Sequence, residues 1–269
     1  MQLKMVRIIK EDIFEKQSKF EIFLSQIKRS FAVSKKDLRI YYNKGPVVIQ
    51  GILFPIMLFL AFTVGREIIP IYIISGLMTM VLFLTSTSIG PVVFPWETRQ
   101  KTLERLITCP ISIKTILLGN VWSSFIFGCI FATVPLILGI AFFELWKTIN
   151  LLILIPGILL SAFSFSSFSL ILSAPPTDTP ASTMILTILV KFPLIFISPL
   201  FMPIIINPIV LVSPLTYFLD ILNTSFGKLS VFGSFGLLID FGYLLIFGFS
   251  FLLLAFILHE KTLQKRFRG

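Results

Sequence analysis

Six long apolar runs constrain what this chain can fold into more than any other feature. They cover residues 47–64, 68–95, 115–143, 148–174, 182–206 and 235–258. Because about twenty helical residues cross the hydrocarbon core of a bilayer, each run is long enough, or nearly so, to span it. Charged residues make up only 13% of the chain and its mean hydropathy is +0.96, which excludes an ordinary soluble domain. The sequence predicts an all-α polytopic membrane protein with six transmembrane helices.

The distribution of Lys and Arg predicts the orientation of these helices. Residues 1–46 contain eleven of the 23 Lys and Arg residues, and residues 96–114 and 259–269 contain four each. The segments on the opposite side contain only Arg66, Lys147 and Lys228. Since positive residues concentrate in cytoplasmic segments, we expect a multi-pass protein of the cell (cytoplasmic) membrane with both termini in the cytoplasm. This placement explains the net charge of +10 without a nucleic-acid partner.

The domain organisation follows from these runs. Residues 1–46 form a cytoplasmic N-terminal region, residues 47–258 form the membrane domain, and residues 259–269 form a basic cytoplasmic tail. Between the fifth and sixth runs, residues 199–230 are too apolar for a solvent loop and too rich in Pro for one straight helix. Because backbone of this kind is tolerated at membrane depth only when protein or a cavity surrounds it, we predict a re-entrant pair of short helices packed on the bundle.

The N-terminal region is predicted to contain two short helices at the membrane surface. The first is amphipathic, and Ser34 with Asp37 resembles a capping box that would start a second helix at Lys35 and end it near Asn43. A basic amphipathic helix next to a span is typical of the anionic lipid interface, although a solvated tail remains the alternative. The apolar stripe of the first helix consists of Phe20, Leu24, Ile27 and Phe31.

Residues 96–114, which we call the charged segment, interrupt the apolar runs. Their pattern predicts a helix over residues 97–107, with a favourable pair between Glu97 and Lys101. We expect Pro110 to end this helix and Ser112 to cap the next one. An ordinary solvated loop is the alternative interpretation. The apolar face of the predicted helix consists of Leu103, Leu106 and Ile107.

Three stretches resemble permeases of the type 2 ATP-binding-cassette exporter superfamily. The charged segment and the start of the next run read ETRQKTLERLITCPISIKTILLGN, which resembles the family pattern of an acid, then G-T-L-E-x-L, T-P-I/V-S and L-L-G-K. The departures are Lys101 in place of Gly, the additional Cys109, and Asn120 in place of Lys. The run KKDLRIYYNKGP resembles the helix before the first span of these permeases. The residues Ser213, Pro214, Leu215, Thr216, Tyr217 and Asp220 resemble the family stretch N-P-L-T-Y-x-x-D, with Ser in place of Asn.

The resemblance implies an ATP-driven exporter subunit that moves a hydrophobic or amphipathic substrate, such as a drug, lipid-linked or polysaccharide cargo. In that family two six-span subunits pair, as a homodimer or a related heterodimer, and each binds a separate ABC ATPase subunit through a coupling helix. The coupling-helix residues here are Glu97, Arg99, Lys101, Thr102, Leu103, Glu104, Arg105 and Leu106. The interfacial-helix residues, a second surface for the ATPase or for membrane lipid, are Lys35, Lys36, Asp37 and Arg39.

The sequence offers no catalytic, cofactor or metal site of its own. It contains no G-x-x-x-x-G-K-[ST] phosphate loop, so ATP and Mg are expected on the partner ATPase. His259 and the two Cys residues have no metal-ligand spacing. A non-transporting scaffold, or an ATP-independent channel that binds another cytosolic partner, is the alternative function.

Two ionisable residues fall inside the apolar runs. Lys191 and Asp240 are costly to bury, so they are candidate functional residues that either pair or line a wet path. Hydroxyl groups are also clustered in the second and fourth runs. They either line a polar path or serve helix packing and bond to the preceding helical turn. These residues are Thr85, Ser86, Thr87, Ser88, Ser161, Ser164, Ser166, Ser167 and Ser169.

Overall fold

The computed structural model describes residues 19–41, 53–64, 69–109, 111–174, 180–200 and 203–268. Every regular element in these ranges is helical, as the sequence predicts. Short 3-10 turns at Leu145–Lys147 and Gly233–Phe235 lead into two of the long helices. The α-helices are α1 (Lys19–Tyr41), α2 (Phe54–Thr63), α3 (Pro70–Ser86), α4 (Gly90–Arg99), α5 (Thr102–Thr108), α6 (Ile113–Phe143), α7 (Leu151–Ser173), α8 (Pro180–Ile197), α9 (Pro208–Leu211), α10 (Pro214–Ser225) and α11 (Gly236–Arg268).

Four helical stretches are long and apolar enough to cross a bilayer. They are Pro70–Arg99, Ile113–Phe143, Leu151–Ser173 and Gly233–Thr262. The first consists of α3 and α4, which a turn at residues 87–89 separates. The chain is therefore a multi-pass membrane protein, and four of the six predicted spans are present at full length.

The other two predicted spans are shorter where the structure describes them. In the predicted run 182–206, α8 ends at Ile197 and its apolar part is Ile185–Ile197. Pro199 follows closely, and a residue before Pro is disfavoured in the helical conformation. In the predicted run 47–64, α2 covers Phe54–Thr63, and residues 42–52 lie outside the described part. The total of six spans therefore stays a prediction.

The core of the bundle forms around α3. In the stretch Pro70–Arg99, 89% of the most apolar 18-residue segment is buried, whereas in Gly233–Thr262 only 17% is buried. The first stretch is therefore enclosed by the bundle, and the second lies at its edge. Phe83 of α3 meets Phe165 of α7 edge to face at 5.2 Å. The backbones of α3 and α6 approach closely at Gly128, where an added Cβ would lie 1.8 Å from the Ser86 hydroxyl oxygen. Small residues let helices pack at this distance in a membrane.

Helix α1 is continuous, which corrects the prediction of a break at Ser34. Ser34 lies inside α1 and is buried, and no Pro or Gly interrupts the helix. The buried face of α1 recurs at helical spacing and packs on α6, where Gly119 allows close approach to Val33. This face consists of Ser30, Val33, Ser34 and Asp37. Leu24 and Phe31, two members of the predicted apolar stripe, lie outside this face and are exposed, and the Phe31 ring stacks on Trp122 of α6 at 5.0 Å.

The stretch between α8 and α11 forms short helices, as predicted. Asn207 and Ser213 cap α9 and α10 with their side chains, and a Pro follows each cap. Helix α10 is almost entirely buried and packs on α3, α7 and α11. Within the described part of this stretch, α10 therefore packs on the bundle, whereas α9 has no buried residue and packs on α10. Its depth in a bilayer stays a prediction.

Candidate functional site: the charged segment and its supports

The charged segment contains two helices and not one. Helix α4 ends at Arg99, and α5 begins at Thr102, so the predicted continuous helix over residues 97–107 is wrong. Between them Lys101 adopts a left-handed conformation, with φ of 57°. The Thr102 hydroxyl donates to the Glu97 carbonyl oxygen at 3.2 Å and so satisfies one of the free carbonyls at the end of α4. The chain therefore turns sharply at Lys101, where the resembling family usually has Gly.

Leu103 anchors α5 to the bundle. It is 6% exposed and lies in one apolar cluster with Phe94 of α4, Leu117 and Val121 of α6, Leu170 of α7 and Ala255 of α11. Leu106 and Thr102 are half-buried. The sequence prediction placed Leu103 in a groove of a partner protein, but in this structure its side chain fills a cluster inside the chain itself.

The exposed surface of the charged segment is basic. Arg99, Lys101 and Arg105 are exposed, together with Thr108 and Cys109. The side chains of Glu104 and Ile107 lie outside the described part, as does Pro110, the predicted end of the helix. Of the predicted coupling residues whose side chains are described, the exposed ones are therefore Arg99, Lys101 and Arg105.

Glu97 forms an ion pair with α1 and does not face solvent. It is 4% exposed, and its Oε1 accepts a hydrogen bond from the Lys36 ammonium group. The same ammonium lies 3.1 Å from Asp37 Oδ1. The partner of Glu97 among the described residues is therefore Lys36 and not the predicted Lys101. Lys35 and Arg39, the other predicted interfacial residues, are exposed.

The electrostatics of this cluster follow from burial and from an excess of carboxylates. Burial raises the pKa of Asp37 from 3.8 to about 6; nearby Glu97 adds to this, while Lys36 and Asn120 oppose it. Burial lowers the pKa of Lys36, but the carboxylates of Asp37 and Glu97 outweigh it, so this pKa lies above its ordinary value. Lys36 therefore stays a cation near neutral pH, whereas Asp37 gains or loses its proton just below it.

A second contact joins α1 to the other end of the charged segment. The Thr115 hydroxyl and the Ser112 backbone N–H both donate to Gln26 Oε1 of α1, the latter at 3.4 Å. The Ser112 hydroxyl accepts from the Thr115 backbone N–H at 3.1 Å, which confirms the predicted cap of α6. Helix α1 thus contacts the segment at both its entry and its exit. The roles of Gln26, in the N-terminal region, and of Asn120, inside an apolar run, had no signal in the sequence, because both depend on contacts between distant segments.

The two predicted intramembrane residues are far more buried than ordinary ionisable groups, but they do not meet. Lys191 is 5% exposed in α8 and Asp240 is 0% exposed in α11. No ion pair joins them, although the structure describes both side chains. The neighbour of Asp240 is Asp220 of α10, to which sequence reasoning assigned no chemistry.

The predicted hydroxyl cluster is buried and divides into two groups. The hydroxyls of Thr85, Thr87 and Ser167 donate to the carbonyl four residues earlier, at 2.7, 2.6 and 2.9 Å. Each of these hydroxyls therefore bonds to the backbone of its own helix. Four other members, Ser86, Ser161, Ser164 and Ser166, have no hydrogen-bond partner among the described residues, as is also true of Ser124 of α6, which was not predicted. That these hydroxyls line a polar path stays a prediction.

The fold and this segment define a class: a multi-pass helical membrane protein with a basic surface segment braced by its own N-terminal helix. The family model described as ABC-2 type transporter matches residues 23–227, which is most of the chain. The chain belongs to the ABC-2 type transporter family. It is accordingly a membrane permease component of an ABC transporter, whose family works with an ABC ATPase subunit. None of the curated proteins compared with the chain is significantly similar to it.

Proposed function

We propose that this chain is the permease subunit of an ATP-driven exporter. It moves a hydrophobic or amphipathic substrate, such as a drug, lipid-linked or polysaccharide cargo, out of the cytoplasm. A separate ATPase subunit holds ATP and Mg and supplies the energy, and two permease copies, identical or related, pair in the membrane. The observation that carries this proposal is the basic, exposed surface of Arg99, Lys101 and Arg105 beside the buried anchor Leu103.

The ATPase docks on that exposed surface. An acidic or polar groove on the ATPase complements the three basic side chains, and electrostatic attraction of this kind steers association and selects the partner. Glu97 and Leu103 do not contact the ATPase in this arrangement, because both are buried within the chain. They hold the segment in place while the basic residues bind.

The residues that hold the charged segment in place also transmit its movement to the rest of the chain. Leu103 lies in one apolar cluster with side chains of α4, α6, α7 and α11, and Glu97 joins the end of α4 to α1. A displacement of α5 by the ATPase is therefore passed through this cluster to the four long apolar stretches and to the N-terminal helix together. Movement of such packed elements as rigid bodies, driven by differing contacts with two states of the ATPase, alternates access to the path.

Helix α1 lies in the lipid interface. Its exposed face combines apolar Leu24 and Phe31 with basic Lys28, Lys35 and Arg39, while its small and polar residues pack on α6. Exposed apolar side chains flanked by cations suit acyl chains beneath anionic headgroups. Membrane lipid is thus a partner of this helix, and the ATPase is a partner of the adjoining charged segment.

The remaining features of the proposal concern topology. The protein lies in the cell membrane with six spans, α2 and α8 completing the four long ones. Both termini and the charged segment are cytoplasmic, as the excess of Lys and Arg in residues 1–46, 96–114 and 259–269 predicts. Residues 199–230 form a re-entrant pair of helices at the outer side.

Affinity purification of the tagged chain in mild detergent tests this function. We expect an ATPase with a phosphate loop to purify with the chain, and Arg105→Glu to reduce its recovery and the ATP hydrolysis of the complex at least tenfold, since reversing a docking charge costs several kcal/mol. Lys261→Glu is the matched control, because it reverses an exposed charge that also belongs to the predicted cytoplasmic surface.

Two results would count against the proposal. If the chain purifies without an ATPase, or with another cytosolic partner, the scaffold or channel function becomes the better one. If both substitutions reduce ATPase recovery equally, the ATPase responds to overall charge, and the charged segment is not its docking site.

A further inference from the structure

Asp240 is a buried carboxyl group with no partner for either of its oxygens. It lies in the second turn of α11 and is 0% exposed, and neither Oδ1 nor Oδ2 has a hydrogen bond among the described residues. An isolated carboxylate in such surroundings costs several kcal/mol, so the group must either lose its charge or bind something.

Its neighbour is a second carboxyl group, Asp220 of α10. Asp220 is also 0% exposed, and it lies beside Asp240 where α10 packs on α11, because Tyr217 and Tyr243, each three residues away along its helix, stack with ring centroids 4.7 Å apart. Unlike Asp240 it is well supplied with donors: the Ser230 hydroxyl donates to Oδ2 at 2.6 Å, and the Val231 backbone N–H lies 3.2 Å from both oxygens. Two ionised carboxylates have no hydrogen to share, so their contact becomes a hydrogen bond only when one is protonated.

The asymmetry of the donors decides which of the two is protonated. Both oxygens of Asp220 already accept hydrogen bonds from Ser230 and Val231, whereas neither oxygen of Asp240 has a donor among the described residues. Asp240 is thus the acid that donates, and Asp220 is the carboxylate that accepts. The pair forms a bridge between α10 and α11, which pack on each other.

A proton fits this place better than a metal ion. Among the described residues no group of three His, Cys, Asp or Glu side chains could hold a metal. Ser230 and Val231 already occupy the oxygens of Asp220 with donors, and a cation such as Ca²⁺ needs six or more oxygen ligands. With both carboxyl groups fully buried, a proton requires no additional space.

Other ionisable groups near the pair do not replace the proton. Tyr217 of α10 stacks on Tyr243 of α11 at 4.7 Å, and the Tyr217 hydroxyl already donates to the Leu211 carbonyl oxygen at 2.9 Å. The ammonium of Lys228, in the adjoining loop, lies over the Tyr72 ring at 5.6 Å. Helix α7 contains no ionisable side chain. Helix α6 contains only Lys114, at the end joined to the charged segment, and Cys129, in its middle.

We propose that Asp220 and Asp240 form a proton-binding site in which one shared proton latches α10 to α11. When the two helices separate, water reaches Asp240 and removes the free-energy cost of its charge, so the site loses its proton. Packing of the stretch between α8 and α11 therefore depends on pH, and it weakens as the pH rises and the pair becomes doubly ionised. This proposal does not rest on ATPase docking.

Infrared spectroscopy of the purified full-length chain tests the proposal directly. At neutral pH we expect a carboxylic C=O band from a protonated, buried acid. Asp240→Asn should abolish it, and Asp220→Asn should shift it because the accepting group changes. Glu144→Gln, an exposed acid, is the matched control and should leave the band unchanged. Because band position reports a hydrogen bond, a merely structural role of either residue would not reproduce this pattern.

A second measurement uses stability as a function of pH. The thermal midpoint of the chain should fall between neutral and alkaline pH, and Asp240→Asn, which mimics the protonated acid, should flatten that fall. If Asp240→Asn does not fold, the position of the infrared band and the thermal midpoint are measured on Asp220→Asn. Absence of the band from the unsubstituted chain, its persistence in Asp240→Asn, an unshifted band in Asp220→Asn, or stabilisation by Na⁺ or Ca²⁺ at constant pH in place of protons would overturn the proposal.

Discussion

At the residue scale, the charge balance beneath α1 is unusual. One cation, Lys36, serves two carboxyl groups, Asp37 and Glu97, and both of these are almost fully buried. A cluster with one charge in excess is costly at low dielectric, and protonation of one acid relieves it. Because Asp37 has a pKa of about 6 in the folded chain, the relief occurs just below neutral pH.

The first prediction concerns this pH dependence. A folded pKa of about 6 against 3.8 means that Asp37 contributes stability in full below about pH 4 and loses it as the pH rises through about 6. This difference corresponds to at most about 3 kcal/mol. Asp37→Asn, which cannot ionise, should therefore be more stable than the unsubstituted chain at pH 7.5, and the advantage should shrink towards pH 4.

Thermal midpoints across that pH range measure the effect. Glu144→Gln removes an exposed acid and should leave the pH profile unchanged. An Asp37→Asn profile that runs parallel to that of the unsubstituted chain would mean that Asp37 does not titrate in this window.

At the scale of elements, the junction of α4 and α5 determines where the charged segment points. Helix α4 is the end of an enclosed span, and α5 is a short helix anchored by Leu103. Lys101 lets the chain turn between them by adopting a left-handed conformation that costs a residue with a Cβ about 1 kcal/mol. Its ammonium group also contributes to the exposed basic surface, so this position combines conformational strain with a charge that the proposed ATPase docking would use.

The second prediction separates these two effects. Lys101→Gly should stabilise the chain by up to about 1 kcal/mol, since Gly adopts this conformation without strain. Lys101→Ala loses the same charge but keeps the Cβ, and it should leave stability nearly unchanged. The thermal midpoint reports the strain, and recovery of the ATPase reports the charge, which both variants should weaken equally. Equal midpoints for the two variants would show that the turn stores no strain.

At the scale of the whole molecule, the bundle buries hydroxyl groups together with large apolar side chains, and it also exposes large apolar side chains. The buried set includes Phe83, Phe165 and the hydroxyls of α3 and α7, and the exposed set includes many Leu, Ile and Phe side chains of α6, α8 and α11. An exposed apolar surface of this kind suits a molecule whose solvent is lipid. The basic charged segment and the loop between α10 and α11 belong to opposite ends of this bundle in the proposed topology.

The third prediction tests that topology with a membrane-impermeant thiol reagent. Native Cys109 is exposed and should react in inside-out vesicles but not in intact cells. In a Cys109→Ser background, Leu229→Cys, at a position that is 94% exposed between α10 and α11, should react only in intact cells. Lys261→Cys in the same background is the control for the cytoplasmic side. Reaction of positions 109 and 229 from the same side would contradict the six-span topology.

Part of this molecule follows from its sequence alone. Long uncharged runs can satisfy their backbone in lipid only as helices, so the helical membrane class and four full-length spans were predictable. The location of the charged segment, the Ser112 cap and the short helices after α8 were predictable too, because each depends on residues close together in the chain. The family was recognisable from the same local patterns.

Only the tertiary structure decided which faces of the helices are buried. In α1 the apolar Leu24 and Phe31 are exposed while Ser34 and Asp37 are buried, because the face of α1 that contains Ser30 and Val33 packs against α6 at Gly119. The spacing of apolar residues locates an apolar stripe on a helix, but it does not tell whether lipid or protein covers that stripe. The pairs Lys36–Glu97 and Asp220–Asp240 join residues distant in sequence, and no local pattern contains their contact. The sequence therefore determined the elements, and packing between distant segments decided which of their residues carry chemistry.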